Sequence, residues 1–73
     1  MRAWSIIKYQ GHNYIICEFD HNSRTAKLLR YTKEVYDRLL KDDFNVLYEH
    51  KNTKDLKFIS QDELSLCQVL KEY

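Results

Sequence analysis

Proline is absent from this chain of 73 residues, and Gly11 is its only glycine. A fold built from many irregular loops normally uses both residue types, so this composition argues against a loop-rich scaffold. No apolar run approaches the roughly 18 residues that a membrane-spanning helix needs. The apolar stretch after Arg2 is also too short for a signal peptide. We therefore expect a cytoplasmic protein with no membrane association.

Cysteine and net charge are scarce as well. Cys17 and Cys67 each lie among apolar neighbours, which in the cytosol favours buried, reduced thiols over a disulfide. The net charge is only +1, whereas a dedicated nucleic-acid-binding protein is usually more basic. Hydrophobic residues make up 44% and charged residues 32% of the chain, which is typical of a globular protein. We place a single domain at residues 1–73.

The clearest local feature is a β-hairpin from Ala3 to Asp20. Apolar runs at 4–9 and 14–19 flank a polar segment that contains Gly11, and glycine is favoured where a turn needs a positive φ. Side chains alternate between the two faces of a strand, so one face of the second run should form the core. The residues predicted to form that face are Ile15, Cys17 and Phe19.

The rest of the chain alternates between strand and helix patterns. The predicted elements are a third strand at 25–31, a helix at 33–41 capped by Thr32, strands at 44–50 and 56–59, and a helix from Gln61 toward Glu72. The second helix has the strongest start signal, because Ser60 and Glu63 have capping-box spacing. The order β-β-β-α-β-β-α predicts an α+β domain, with two helices packed on one face of a small antiparallel sheet.

Residues that could support metal binding or catalysis are scattered along the chain. His12, His21 and His50 lack metal-ligand spacing, and there is no Cys-x-x-Cys motif. The familiar phosphate-binding loops need several glycines. An enzyme would need a thiol or carboxylate site, for which Cys17 or Asp43 would be essential. We expect no metal, no cofactor and no enzymatic activity.

Aromatic and basic side chains on the predicted outer face of the hairpin form the candidate binding site. Tryptophan, tyrosine and arginine are enriched at binding hot spots, and the chain contains one tryptophan and six tyrosines. We expect Arg2, Trp4 and Tyr14 to contact a partner, with Arg30 and Tyr31 contributing. The same face could neutralise phosphates and stack bases, so nucleic-acid binding is the alternative.

These features favour a small, non-catalytic protein-interaction module that regulates or inhibits a cytosolic protein. A homodimer stays open, since association would remove apolar surface of a small domain from water. The Lys, Asn, Ile and Tyr content is typical of A/T-rich coding sequences and suggests a phage or mobile-element origin. Salt distinguishes the partner classes, because binding to phosphates releases counterions and therefore weakens steeply as salt is added.

Overall fold

The computed structural model describes residues 2–73, which form one five-stranded antiparallel sheet and three helices. The predicted α+β class is therefore confirmed. None of these helices is long and apolar enough to cross a membrane. The strands are β1 (Ile6–Tyr9), β2 (His12–Asp20), β3 (Thr25–Arg30), β4 (Leu56–Ser60) and β5 (Gln68–Lys71). The helices are α1 (Lys33–Leu40), α2 (Asn45–Glu49) and α3 (Gln61–Leu64).

The sheet order is β4-β3-β2-β1-β5, so β4 and β5 are its two edges. The predicted hairpin forms its centre. Gln10 and Gly11 have φ values of 50° and 81°, and a type I′ hairpin turn requires positive φ at both central residues. The first strand begins at Ile6 rather than Ala3, because Trp4 has a φ of 70° and interrupts the extended backbone.

A β-bulge in β2 changes which side chains share a face. The pairing register with β3 shifts between Ile16 and Glu18, which leaves Cys17 as an extra residue on β2. Ile15 and Cys17 pack on one face, as the alternation predicts. Phe19 was predicted on that same face, and this is wrong: the bulge returns it to the face of Ile16.

Two hydrophobic clusters, one on each face of the sheet, form the core. The adjacent residues Leu28 and Leu29 point to opposite faces, and both are fully buried. Burial on both faces explains why the three central strands contain adjacent apolar residues. The α1–α2 core consists of Ile6, Ile15, Leu29, Val35, Tyr36, Leu39 and Val46. The α3 core consists of Ile7, Tyr14, Ile16, Ala26, Leu28, Ile59 and Leu64.

The helices are divided between the two faces. The sequence predicted that the helix at 33–41 and the helix from Gln61 would share a face. Instead Leu39 of α1 and Val46 of α2 lie in the α1–α2 core, and Leu64 of α3 lies in the α3 core. Both faces of the sheet carry apolar residues, so each face needs its own cover.

The strand predicted at 44–50 is wrong, because residues 45–49 form α2. Alternating apolar residues indicated a strand, but a segment this short fits either period. In the helix only Val46 is buried, whereas Phe44 and Tyr48 are 48% and 76% exposed. The Asp43 carboxylate accepts a hydrogen bond from the Asn45 backbone N–H at 3.2 Å, which favours the helical turn.

The prediction of a long C-terminal helix is also wrong beyond the first turn. The helix ends at Leu64, and residues 68–71 form β5. This strand pairs with β1, where Ile7 lies opposite Val69 and Lys8 opposite Gln68. Pairing satisfies the backbone groups on the outer edge of β1, which a continued helix would leave without partners.

Both predicted helix starts are confirmed by their capping hydrogen bonds. Thr32 Oγ1 accepts a hydrogen bond from the Val35 N–H at 3.1 Å, and Ser60 Oγ accepts one from the Glu63 N–H at 3.0 Å. The Glu63 carboxylate also accepts a hydrogen bond from the Tyr9 hydroxyl at 2.9 Å. This contact ties α3 to the end of β1.

An ionic network joins α1 to α2. The Arg38 guanidinium donates to an Asp43 carboxylate oxygen at 2.8 Å and to Glu49 Oε1 at 3.0 Å, with a second bond to Glu49 Oε2. Bonds from the Arg38 guanidinium lower the pKa of both carboxyl groups. The network fixes the orientation of a helix that has only five residues.

We expect this network to make stability depend on pH. The two carboxyl groups have lower pKa values when folded than when unfolded, where they are about 3.9 and 4.3. Their stabilising effect is therefore present above that range and is lost as the pH falls toward 2. Arg38→Gln should lower the melting temperature at pH 7, and the difference from wild type should shrink at pH 2. Circular dichroism melting curves at both pH values measure the difference in melting temperature between the variant and the wild type. A difference that stayed constant would contradict the prediction.

Candidate functional site

The structure does not bring the five residues predicted to bind a partner onto one surface. Tyr14 was predicted on the outer face of the hairpin, and this placement is wrong, because it is only 2% exposed. Its ring lies in the α3 core, 6.1 Å from the ring of Tyr9 in an edge-on arrangement. The prediction assumed that only one face of the sheet is buried, whereas both are.

The remaining predicted residues are divided between two places. Trp4 and Tyr31 are half-buried against the α1–α2 core, and the Trp4 ring stacks on Phe44 at 6.1 Å. Arg2 and Arg30 are exposed, and Arg30 pairs across the strands with the buried Tyr14. Contact between these four residues and a partner stays a prediction.

A different surface has the shape of a binding site. A groove of about 650 Å³ lies between α2 and the face of β4 that α1 and α2 cover only in part. Large apolar side chains that stay exposed in the free protein are unusual when they cluster, and such clusters often mark interaction sites. We call this surface the aromatic groove. It is lined by Phe44, Leu47, Tyr48, Leu56 and Phe58, with Lys27 and the turn residues Lys51, Asn52 and Thr53.

Local structure explains why these rings remain exposed. Val46 faces the α1–α2 core, so Phe44 and Tyr48, two residues to either side, point away from it. On β4 the side chains alternate: Ile59 is buried in the α3 core, and Phe58 lies on the opposite face, 63% exposed. Phe44 and Tyr48 therefore line one side of the groove, and Phe58 lines the other.

The lysines in and beside the groove differ in their ion pairs. Lys27 lies 3.1 Å from the Glu18 carboxylate and 5.8 Å from the centre of the Phe58 ring. By contrast, Lys51 and Lys54 form no ion pair within residues 2–73. The nearby acidic groups already have partners, since Asp43 and Glu49 bind Arg38 and Asp55 lies 3.3 Å from His50 Nδ1.

The groove carries few groups that could do chemistry. Its lining contains hydroxyl groups of Tyr48 and Thr53 and ammonium groups of Lys27 and Lys51, with no thiol, imidazole or carboxylate. Within residues 2–73, no three His, Cys, Asp or Glu side chains lie close enough together to hold a metal ion. This lining is suited to binding by apolar contact and charge.

Cys17, which the enzyme alternative required, has an unreactive setting. Burial raises the pKa of its thiol to about 12, and its Sγ lies 3.6 Å from the Ile15 carbonyl oxygen, to which it donates. Relative to an ordinary pKa of about 8.5, the thiolate population near neutral pH falls by roughly three orders of magnitude. Cys67 also has a raised pKa, because it is partly buried.

We expect native Cys17 to resist alkylation. With iodoacetamide at pH 8, Cys67 should be modified first, and Cys17 should react only as the protein unfolds. Mass spectrometry of proteolytic fragments measures the two rates separately. In urea both cysteines should react at similar rates, which serves as the control. A native Cys17 that reacts as fast as Cys67 would contradict the account.

Only weak signals for the aromatic groove are present in the sequence. Phe44 and Tyr48 were assigned to a strand, where the alternation places them on the same side as Val46. Phe58 was assigned correctly to a strand and was not predicted to bind a partner. A usable signal was the presence of three aromatic residues within 44–58, around the Lys-rich turn at 51–54.

Comparisons of this chain with protein-family models, with curated proteins and with solved structures gave no match. Its function must therefore be inferred from its own geometry.

Proposed function

We propose that this chain is a small, non-catalytic protein-binding module that holds a segment of a partner protein in the aromatic groove. One observation carries the proposal. Three aromatic rings, those of Phe44, Tyr48 and Phe58, are 48%, 76% and 63% exposed around a single concavity. Burying such rings is the main source of binding energy at many protein interfaces.

The mixed charge around the groove favours a protein over a nucleic acid. A smaller cavity of about 140 Å³ continues from Lys27 and Phe58 to the carboxylates of Glu18 and Asp20. A phosphate backbone following this surface would meet those two negative charges. Leu47 and Leu56 also offer aliphatic contacts, which suit apolar side chains better than stacked bases.

A module of this kind would bind a segment of a cytosolic partner and so regulate or inhibit that partner. A homodimer is a second arrangement that we keep within the proposal. Four residues at the C-terminal end leave apolar surface exposed outside the groove, and a second copy could cover it. These residues are Leu66, Val69, Leu70 and Tyr73.

A peptide-display selection tests the proposal. A library of random dodecapeptides is selected on the immobilised protein, and enriched sequences are synthesised as capped peptides. Binding is then followed by the fluorescence of Trp4, the only tryptophan, whose ring stacks on Phe44 at the groove. We expect enriched peptides with apolar anchors and dissociation constants that change little with salt. Single- and double-stranded oligonucleotides are titrated in parallel.

Two outcomes would overturn the proposal. One is a selection that enriches no peptide above the level obtained with the unfolded protein. The other is oligonucleotide binding that is tighter than peptide binding and weakens steeply as salt is added. That result would support nucleic-acid binding at the groove instead.

A further inference from the structure

We infer that the segment held in the aromatic groove is extended, pairs with the open edge of β4 as an added strand, and carries acidic residues beside Lys51 and Lys54. This inference rests on the proposed function and specifies the chemistry of the partner. Addition of a strand at a sheet edge is a known mode of peptide recognition, in which main-chain bonds provide affinity and side-chain pockets provide specificity.

The two edges of the sheet differ in regularity. On one side β4 pairs with β3 through five residue pairs in unbroken register, and its other side is an edge of the sheet. The opposite edge, β5, is irregular, because its register with β1 shifts between Ile6 and Ile7. Irregular edges resist pairing with another chain, whereas a regular strand offers a template for it.

Backbone groups of β4 point alternately toward β3 and toward the open edge. The Arg30 N–H donates to the Asp55 carbonyl at 2.8 Å, and the Gln61 N–H donates to the Arg24 carbonyl at 2.8 Å. Hydrogen-bonded pairs alternate along an antiparallel ladder. These two bonds identify the residues whose backbone groups point toward β3. The residues between them on β4 therefore direct their N–H and C=O groups away from β3. Of these, Phe58 lies in the middle of the strand.

The aromatic groove lies beside the same edge strand. Phe58 directs its side chain into the groove lining and its N–H and C=O toward the open edge. An added strand would place every second side chain on the same face as Phe58, between β4 and Tyr48 of α2. The five residues of β4 provide about 17 Å of edge at about 3.3 Å per residue.

Lysines near this edge that lack ion pairs in the described part of the chain favour acidic residues in the partner. Lys51 and Lys54 lie in the turn that precedes β4 and have no acidic partner within residues 2–73. Because the neighbouring carboxylates bind Arg38 or lie beside His50, the ammonium groups of Lys51 and Lys54 are available to acidic residues of a partner. A segment that alternates apolar and acidic residues provides both the inward anchors and the negative charge. A nucleic acid could supply charge but not the backbone pairing.

Amide hydrogen exchange at Phe58 tests the inference, using the tightest peptide from the display selection as the probe. In the free protein the Phe58 amide should exchange at least about tenfold faster than those of Lys57 and Ile59, which point toward β3. Saturation with the peptide should slow exchange at Phe58 by about tenfold or more. A peptide N-methylated on one alternate set of residues should lose binding, whereas methylation of the other set should leave it unchanged.

The outcomes separate the inference from the function on which it rests. If the peptide binds through the groove but leaves Phe58 exchange unchanged and tolerates both methylation sets, strand addition is wrong and the proposed function stands. If no peptide binds, both fail. Replacing the acidic residues of the peptide by amides should weaken binding several-fold to the wild type but not to a Lys51→Gln, Lys54→Gln variant. Equal weakening in both proteins would overturn the charge assignment.

Discussion

Replacing either Leu28 or Leu29 by alanine is expected to destabilise the protein by about 2–4 kcal/mol, the usual cost of truncating a buried leucine. The two residues are adjacent on β3 and fully buried in different cores. A domain of this size has a stability on the order of 3–5 kcal/mol, so each variant should be substantially unfolded at 25 °C. Urea titration followed by circular dichroism measures the change.

Leu40→Ala is the matched control, because Leu40 is 44% exposed at the end of α1. This variant should lower the free energy of unfolding by roughly 1 kcal/mol or less. That loss is well under the one expected for the buried leucines. If one of the two β3 variants behaved like Leu40→Ala, the sheet would be buried on one face only. That result would contradict the two-core architecture on which the position of the groove depends.

The second large effect concerns binding. The double variant Tyr48→Ala, Phe58→Ala should bind the selected peptide about 100-fold more weakly than the wild type. Each ring is expected to contribute at least about 1.4 kcal/mol, a factor of ten in the dissociation constant. Stability should change little, because both side chains are more than half exposed and the main loss is the Lys27 contact with the Phe58 ring.

Tyr73→Ala provides the control for the binding measurement. Tyr73 is also an exposed tyrosine, at 56%, but it lies next to β5 and outside the groove. Its backbone N–H bonds to Ser5 Oγ at 3.1 Å, and this bond survives truncation of the side chain. If Tyr73→Ala weakened binding as much as the double variant does, the C-terminal surface and not the groove would be the site.

The sequence predicted best the elements whose signals are local. Gly11 marked the hairpin turn because glycine tolerates the positive φ that the turn requires. Thr32 and Ser60 marked helix starts because each side chain accepts a hydrogen bond from a backbone N–H three residues later. The failures involve distant partners. Residues 68–71 form a strand only because β1 has an unpaired edge, and a pattern within 61–72 contains no information about that edge. A short apolar alternation likewise cannot distinguish α2 from a strand.

The candidate site was harder to predict than the fold for a related reason. The hairpin was interpreted as having one outer face, so Tyr14 was placed in solvent. Two-sided burial follows from helices at both faces, which only the three-dimensional arrangement shows. The groove also depends on α2, held to α1 by Arg38. The local pattern predicted that segment as a strand, so the groove beside α2 was not predicted.

The most direct test of the central claim is a map of amide chemical-shift changes as the selected peptide is added to the labelled protein. The account predicts that the large changes fall on α2, on the turn at 51–54 and on β4, together with the indole N–H of Trp4. Changes concentrated instead around Arg2 and Arg30, or on residues 66–73, would contradict it, because the partner would then bind away from the aromatic groove.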